Sequence, residues 1–322
     1  MTTRAPLGTR LFLKDRPDWD AVTEADIAAG RAKLARMLRS PAMRPIAGRP
    51  DRRARIEEHV LDLPGRRLTL RVHRPDAGRD RLPLVLSFHG GGFITGTAAQ
   101  NDWLNSGLAA ALPAVVAAVE YRLAPEHPLP APVDDGRDAL DRLAADPFGW
   151  GIDPARIAVV GESAGGTIAA LLAQRSRTTG PAVTAQVLLY AALDWTAAMT
   201  DYPSVARNIG QPGLSAGELH LARRTALPPG FDPDPVSPLR TADLTGLPPA
   251  LAVAGELDPA CDHARAYVAR LREAGNDARY VGYPNAVHKF LSVPGLVRAA
   301  RPARGEIVDF LRAHLHAKTT AR

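Results

Sequence analysis

The sequence predicts an α/β fold in which a mostly parallel sheet is covered by helices on both faces. Apolar runs of strand length alternate with helical patterns along most of the 322 residues. Such alternation implies crossover connections between parallel strands. Two of the strands lead directly into turns rich in glycine, His89-Gly90-Gly91-Gly92 and Gly161-Glu162-Ser163-Ala164-Gly165-Gly166. Functional groups in open parallel sheets lie beyond the carboxyl ends of the strands, so the functional residues are expected there.

The composition is that of a protein with a sizeable core and a basic surface. Hydrophobic residues make up 46% of the chain, whereas Phe, Trp and Tyr make up only 5%. The formal net charge is +6, but the arginines are scattered and form no basic stripe interleaved with aromatic residues. We therefore expect no nucleic-acid partner. The basic stretch 44–55 is interpreted as a solvated linker.

The single cysteine, Cys261, leaves no partner for an intrachain disulfide and no basis for a cysteine metal cluster. The N-terminal residues lack the apolar core of a secretory signal. No run approaches the roughly 18 apolar residues of a membrane span. We expect a cytoplasmic protein without stable membrane association, without a metal ion and without a cofactor. A homodimer is compatible with the sequence.

The elements before the first glycine-rich turn are a helix and a hairpin. Thr23 and Asp26 are suited to cap a helix that continues to Leu38 and is ended by Pro41 and Pro45. Pro64-Gly65 separates the runs 56–63 and 67–74, which alternate well enough for an antiparallel hairpin at the sheet edge. The remaining strands are predicted at 84–88, 115–119, 157–160, 185–190, 250–254 and 278–283. The helices between and after them are predicted at 102–112, 132–145, 164–176, 262–274 and 303–316.

Residues 195–249 interrupt this alternation. No strand pattern appears there, and Pro/Gly-rich pieces flank a short helical candidate at 215–227. So long an interruption is more typical of an inserted lid than of a bare loop. We therefore expect an N-terminal helical cap segment at 1–45 and a cap insertion at 195–240. The catalytic domain is then 46–194 together with 241–322.

Ser163 is the candidate nucleophile. It stands in Gly-x-Ser-x-Gly between a buried strand and a helix of small residues. This arrangement is typical of the nucleophile elbow of the α/β-hydrolase fold, where a sharp turn holds the hydroxyl exposed above the sheet. The alternative is a glycine-rich turn with an incidental serine, because a pentapeptide match alone is weak.

A serine hydroxyl needs a base, and the base needs an orienting carboxylate, in the chain order Ser, acid, His. Asp258 follows the strand 250–254 and is the favoured acid. Glu256 and Asp262 are competitors, although an N-cap role at the start of the next helix would explain Asp262.

His288 is the favoured base because it follows the last strand, 278–283, through a short loop. The other histidines after Ser163 lie in the expected lid or in helices, which makes them weaker candidates. They are His220, His263, His314 and His316.

The third requirement is an oxyanion hole. The glycines after His89 let backbone N–H groups turn inward, and the amide of Ala164 is the second donor in this fold. A phosphate loop is the alternative for three glycines, but neither the Gly-Lys-Ser/Thr nor the dinucleotide pattern is present. His89 is interpreted as fixing the loop, and Cys261 as a packed residue near Asp258.

Together these pieces resemble the hormone-sensitive-lipase-like (family IV) bacterial esterases of the α/β-hydrolase superfamily. The resemblance implies a serine carboxylesterase with Ser163, Asp258 and His288 as the catalytic triad. The matching stretches are His89-Gly90-Gly91-Gly92-Phe93, Tyr121-Arg122-Leu123-Ala124-Pro125-Glu126-His127-Pro128, Gly161-Glu162-Ser163-Ala164-Gly165-Gly166, Asp258-Pro259 with Asp262, and His288 followed by Phe290.

The resemblance also implies the oxyanion donors and the substrate. The donors are Gly91, Gly92 and Ala164, with Gly90 a weaker candidate. The substrate is a small ester with a short to medium acyl chain, and the cap is built from N-terminal helices plus an insertion after the sixth strand. Two departures stand out: Lys289 occupies the position after the histidine where the family usually has glycine, and the cap is short and nearly free of aromatic residues.

Other functions stay open at this point. An amidase, deacetylase or lactonase would use the same triad, because the acyl chemistry is shared. A non-catalytic small-molecule receptor is a second class; relatives of that kind, such as the plant gibberellin receptors, lose the histidine, whereas His288 is present. Nucleic-acid binding is a third reading, based on the net charge alone.

Overall fold

The structure is a computed structural model that describes residues 5–13, 18–76 and 81–316. Parts of the expected N-terminal cap segment and of the catalytic domain lie outside these ranges. Within them, eight strands form one sheet in the order β1-β2-β4-β3-β5-β6-β7-β8. The strands are β1 (Ala54–Leu63), β2 (Arg66–Pro75), β3 (Leu82–Phe88), β4 (Val115–Glu120), β5 (Ile152–Glu162), β6 (Ala185–Leu189), β7 (Ala250–Gly255) and β8 (Ala278–Tyr283).

The sheet is parallel except at one edge. β2 is antiparallel to both β1 and β4, and every other neighbouring pair is parallel. The prediction of a mostly parallel eight-stranded sheet with an antiparallel edge hairpin is therefore confirmed. β7 and β8 are neighbours, and β6 alone separates β5 from β7. The carboxyl ends of β5, β7 and β8 therefore lie close together at one edge of the sheet.

Helices cover both faces of the sheet. Alternate residues of β3 show the division: Leu84, Leu86 and Phe88 belong to one apolar cluster, and Val85 belongs to the other. The helices in the described residues are α1 (Leu7–Phe12), α2 (Glu24–Arg39), α3 (Arg44–Ala47), α4 (Asp102–Ala111), α5 (Ala131–Ala145), α6 (Pro147–Trp150), α7 (Ala164–Arg175), α8 (Pro203–Arg207), α9 (Ala216–Ala226), α10 (Cys261–Glu273) and α11 (Ala300–Leu315).

The two faces carry different helices because the strands present apolar side chains on both sides. α4 and α11 contribute Leu108 and Ile307 to the cluster that contains Val85. α5, α7 and α10 contribute Leu140, Ile168 and Tyr267 to the opposite cluster, which contains Phe88. The sheet is thus a buried central layer with helices on both faces.

The N-terminal segment forms α2 with the predicted cap. The Thr23 hydroxyl accepts a hydrogen bond from the Asp26 amide at 3.2 Å, and the Asp26 carboxylate accepts one from the Thr23 amide at 3.0 Å. Pro41 begins a 3-10 turn directly after the helix, as expected. Pro45 does not end α2, because it lies inside the separate short helix α3. The interpretation of 44–55 as a plain linker is corrected accordingly, since the stretch begins in α3 and ends in β1.

The segment 195–240, for which a cap insertion was predicted, contains α8 and α9, of which only α9 was predicted. α8 is held by Asp262, whose carboxylate accepts a hydrogen bond from the Ser204 amide at 2.8 Å. This corrects the interpretation of Asp262 as an N-cap, because α10 begins at Cys261 and its N-cap is Ala260. Asp262 instead connects α10 to the insertion. In the part of the chain that the structure describes, no helix is both long and apolar enough to span a bilayer.

Candidate active site

Ser163 lies at the bend between β5 and α7. Its backbone has φ 52° and ψ −117°, a conformation that L-residues rarely adopt. The tight bend depends on glycine nearby, since a Cβ atom at Gly165 would collide with the carbonyl oxygens of Phe88 and His89. The result is a serine at the carboxyl end of a central strand, at the start of a helix, as the sequence predicted.

Ser163, His288 and Asp258 form one continuous chain of hydrogen bonds. The distance from Ser163 Oγ to His288 Nε2 is 2.9 Å, and that from His288 Nδ1 to Asp258 Oδ2 is 2.8 Å. An ionised Asp258 can only accept, so Nδ1 carries a proton and Nε2 is left to accept from the serine hydroxyl. The side chains of Asp258 and His288 are fully buried, which shields this arrangement from water.

Asp258 is oriented by its own loop and by the insertion. Its Oδ1 accepts a hydrogen bond from the Ala260 amide at 2.8 Å, which leaves Oδ2 for His288. Asn208 donates its Nδ2 protons to the carbonyl oxygens of Asp258 and Glu256, both at 3.0 Å. The loop after β7 is therefore fixed on both sides of the carboxylate.

The competing acids and histidines have other partners. Glu256 accepts a hydrogen bond from Tyr280 Oη at 3.1 Å and pairs with Arg265, and Asp262 holds α8. Each alternative histidine is hydrogen-bonded away from Ser163. His220 bonds to the Thr200 hydroxyl, and His263 bonds to the backbone of Leu193 and Met199. His314 and His316 bond to the carbonyl oxygens of Phe310 and Leu112, respectively.

Three of the four candidate oxyanion donors line the cavity that contains Ser163. They are Gly91, Gly92 and Ala164. Gly90 does not; its N–H points toward Glu162 Oε2 at 3.4 Å. Gly91 has φ 128°, and a Cβ atom there would collide with the carbonyl of Thr95, so the loop requires glycine at this position.

His89 contacts the glycine loop that follows β3. Its ring stacks on Tyr121 with a centroid distance of 4.1 Å, and Nδ1 lies 2.9 Å from the Gly90 carbonyl oxygen. Burial lowers the pKa of the His89 imidazole below its ordinary value, so the ring is neutral near pH 7. Tyr121 donates its hydroxyl to the His89 carbonyl at 2.6 Å. A neutral, stacked ring is suited to fixing the loop, the role that the sequence suggested for His89.

Glu162 is a buried residue of the site that sequence reasoning missed. Its carboxylate accepts hydrogen bonds from the hydroxyls of Tyr190 and Ser292, the latter at 2.6 Å, and from Gln100 Nε2 at 3.1 Å. Burial, reinforced by the neighbouring Glu162 carboxylate, raises the pKa of the Tyr190 phenol well above its ordinary value, so the phenol stays a donor. The Tyr190 ring also packs edge-on against His288 at 5.0 Å. The one sequence feature that could have identified Glu162 is its position directly before Ser163.

A cavity of about 240 Å³ opens above Ser163. Its walls are mainly apolar and come from both the N-terminal segment and the insertion. Ile27 and Gly30 belong to α2, and Leu219 and Ala222 belong to α9. Its charged lining residues are Asp26, Glu218 and Lys289. Among the residues that the structure describes, no group of three or more His, Cys, Asp or Glu side chains is placed to bind a metal ion.

The sequence of this chain matches known proteins of one superfamily and one family within it. A family profile described as alpha/beta hydrolase fold matches residues 85–292. The chain belongs to the α/β-hydrolases, and the resemblance to the hormone-sensitive-lipase-like esterases of family IV is confirmed.

The relatives share both sequence and structure with this chain. Carboxylesterase NlhH of Mycobacterium tuberculosis strain H37Rv is 35% identical over 94% of this chain and 98% of its own length. An ester hydrolase from the metagenome of Lake Arreo, solved with a derivative of bipyridine phosphonate, is 32% identical with a TM-score of 0.85, covering 97% of this chain and 100% of its own. An esterase of Pyrobaculum calidifontis is 31% identical with a TM-score of 0.83, covering 96% and 98%.

Proposed function

We propose that this protein is a serine carboxylesterase in which Ser163 is the nucleophile, His288 the general base and Asp258 the orienting acid. Ester hydrolysis is supported by the esterase relatives, which match the chain over nearly its whole length. The roles of the three residues rest on one observation, the unbroken hydrogen-bond chain from Asp258 through His288 to the serine hydroxyl.

The geometry supports a two-step acyl transfer. Ser163 Oγ attacks the ester carbonyl carbon while its proton passes to His288 Nε2, and Asp258 stabilises the resulting imidazolium. The carbonyl re-forms as the bond to the alcohol oxygen breaks, and that oxygen takes the proton from Nε2. Water then attacks the acyl-enzyme through the same base, releasing the acid and restoring the serine.

The amides of Gly91, Gly92 and Ala164 are proposed to hold the negative oxygen that forms in each step. All three line the cavity beside Ser163, whereas the Gly90 amide is directed to Glu162. Preorganised donors of this kind stabilise the transition state more than the ground state, and losing one costs about 2.7–4 kcal/mol of barrier. Glu162 helps by holding Gln100, Gly90 and Ser292 around the loop.

We propose that residues 1–45 and 195–240 together form a cap over the catalytic domain of 46–194 and 241–322. The proposal is supported by the cavity, whose walls include α2 from the first segment and α9 from the second. A small, mainly apolar cavity suits an ester with a short to medium acyl chain, because apolar groups bury there without leaving polar partners unpaired.

Replacing the nucleophile tests the mechanism. Ser163→Ala should lower kcat for p-nitrophenyl butyrate roughly a million-fold, since triad residues act as a unit. The matched control is Ser176→Ala, just beyond the far end of α7, whose hydroxyl donates a hydrogen bond to the Ala173 carbonyl at 2.8 Å. A fluorophosphonate should label Ser163 in the wild type, which a non-catalytic receptor would not allow. Near-normal turnover by Ser163→Ala would refute the mechanism.

The same assay addresses the alternative substrates of this triad. A panel of p-nitrophenyl esters of increasing acyl length is run beside anilides and lactones. We expect esters to be turned over with the highest kcat/KM, because the relatives are esterases. A higher kcat/KM for an anilide or a lactone would assign the protein to an amidase or lactonase function instead.

A further inference from the structure

A second apolar cavity lies beside the one that contains Ser163. Its volume is about 190 Å³, and its walls include Leu34, Met37 and Val293. The two cavities share three lining residues, Gly91, Thr95 and Lys289. These three residues therefore form the boundary between the cavities.

Of the three boundary residues, Lys289 has the longest side chain. Gly91 has no side chain, and the Thr95 carbonyl is close enough that a Cβ atom at Gly91 would collide with it, so this part of the boundary is compact backbone. Lys289 has φ 63°, a left-handed conformation that favours glycine. Lys289, directly after His288, therefore carries a long side chain on a backbone conformation that favours glycine.

The Lys289 side chain is held in place by Glu218. Its Nζ lies 2.8 Å from Glu218 Oε1, and the side chains are 32% and 23% exposed. Glu218 lies in the first turn of α9, where a carboxylate is favoured by the helix dipole, and its amide donates to the Ser215 hydroxyl at 3.2 Å. The ion pair thus joins the loop of His288 to the insertion helix.

An apolar chain that extends past this pair would remove its remaining water. Desolvating charged groups without new polar partners is unfavourable, so the pair opposes hydrocarbon beyond the first cavity both by its bulk and by its charge. Asp26, the third charged residue of the first cavity, belongs to the cap of α2 and does not line the second cavity.

We propose that Lys289, held by Glu218, is a specificity-determining residue that keeps the apolar arm of the ester out of the second cavity. The proposal rests on the esterase function proposed above. It concerns which esters are accepted and leaves the chemical step to Ser163, His288 and Asp258.

The test compares chain-length ratios in three variants. Lys289→Gly removes the side chain, Lys289→Met keeps its length without the charge, and Glu218→Gln removes the partner charge. kcat/KM is measured for p-nitrophenyl butyrate and octanoate, which vary the acyl arm, and for ethyl and hexyl acetate, which vary the alcohol arm. Asp141→Asn is the matched control, because it breaks a similarly exposed ion pair with Arg175 that lines neither cavity.

The ratio compared is kcat/KM for the long substrate divided by kcat/KM for the short one, in the acyl series or in the alcohol series. In one of the two series, we expect this ratio to rise about fivefold or more in Lys289→Gly. Lys289→Met and Glu218→Gln should raise the same ratio by about twofold, and their double variant no further, because both remove one interaction. Asp141→Asn should keep the wild-type ratio. Ratios unchanged in both series would overturn the proposal, and if Lys289→Gly does not fold, unchanged ratios in the other two variants would overturn it.

A purely structural role for Lys289 predicts a different pattern. All substrates would then lose activity by a common factor, with no change in the ratio. Failure of this proposal is also distinct from failure of the esterase function. If only the Lys289 proposal fails, the long-to-short kcat/KM ratios stay constant while Ser163→Ala is inactive. If the esterase function fails, turnover survives Ser163→Ala.

Discussion

At the residue scale, burial decides the chemistry of Cys261. The thiol lies at the start of α10, three positions after Asp258, and its side chain is fully buried. Burial raises the pKa of the Cys261 thiol to about 11, and the carboxylates of Asp258 and Asp262 act in the same direction. The thiolate is the reactive form, so a raised pKa makes the thiol inert at neutral pH.

We therefore expect native protein to resist 5,5′-dithiobis(2-nitrobenzoic acid) at pH 8. The thiolate fraction there is about one part in a thousand, and burial adds a steric barrier. Unfolding in guanidinium chloride should release one reactive thiol per chain, because Cys261 is the single cysteine. The release of nitrothiobenzoate is followed by absorbance. Prompt reaction of the native protein, at the rate of a free thiol, would show that the loop after β7 opens readily.

The catalytic candidates were predictable because each follows a strand of the sheet, directly or through a short loop. Ser163 follows β5, and Asp258 and His288 follow β7 and β8, and the apolar runs that mark those strands are visible in the sequence. Glu162 and its partners were not predictable in this way. The Tyr190 and Ser292 hydroxyls reach Glu162 from separate loops, and such a convergence depends on packing that no local pattern records.

At the element scale, one buried carboxylate fixes the irregular segment after β4. Asp135 of α5 is fully buried and accepts hydrogen bonds from the Arg122 amide at 2.8 Å and from the Arg122 guanidinium at 2.9 Å. Arg66, at the start of β2, donates to the same carboxylate at 3.0 Å. The edge hairpin, the segment after β4 and α5 therefore meet at one charged group.

Asp135→Ala should destabilise the protein strongly. Removing one member of a buried ion pair leaves its partners with uncompensated charge, at a cost of about 3–5 kcal/mol. Arg122 is left in this position, whereas Arg66 loses one of its two carboxylate partners and keeps Asp138. We expect a clear decrease in the thermal unfolding midpoint, measured by circular dichroism.

Asp134→Ala is the matched control, because the neighbouring carboxylate pairs with Arg137 on the exposed side of α5. Exposed pairs contribute about 1 kcal/mol or less, so the midpoint should change little. Equal midpoints for the two variants would mean that Asp135 contributes no more than a surface residue.

Element boundaries were predicted best where a local signal determines them. The capping residues Thr23 and Asp26 marked the start of α2 correctly. The predictions for Pro45 and Asp262 were wrong, because proline and aspartate also occur at the first positions inside a helix, where Pro45 and Asp262 lie. α8 has only five residues, too few for a helical repeat to be visible in the sequence.

At the scale of the whole molecule, the sheet and the two proposed cap segments differ in how they are stabilised. β3, β5 and β6 are central strands whose side chains contribute to apolar clusters on both faces. α2 buries only Ile27, although it is 16 residues long. The sequence predicted the sheet because a strand buried on both faces is nearly continuous in apolar residues. It did not predict that α2 and α9 line the same cavity, because few of their residues are buried.

This difference predicts an order of hydrogen-exchange protection. Local opening requires little energy where few apolar contacts are lost, whereas central strands exchange only when the whole domain unfolds. We expect the slowest exchange in β3, β5 and β6, faster exchange in α9, which buries Leu219, Leu221, Ala222 and Ala226, and the fastest in α2.

The matched control is α7, a helix of similar length to α9 that buries nine residues. It should exchange as slowly as the strands, which separates the effect of burial from that of helical structure. Mass spectrometry of peptic fragments after timed deuteration gives the rates. If α2 is as protected as α7, the N-terminal segment unfolds with the catalytic domain as one cooperative unit, and the proposed division into cap and catalytic domain is wrong. If α2 opens alone, the wall of the cavity over Ser163 can move without disturbing the hydrogen bonds from Asp258 to the serine hydroxyl, because those groups lie on loops anchored to the sheet.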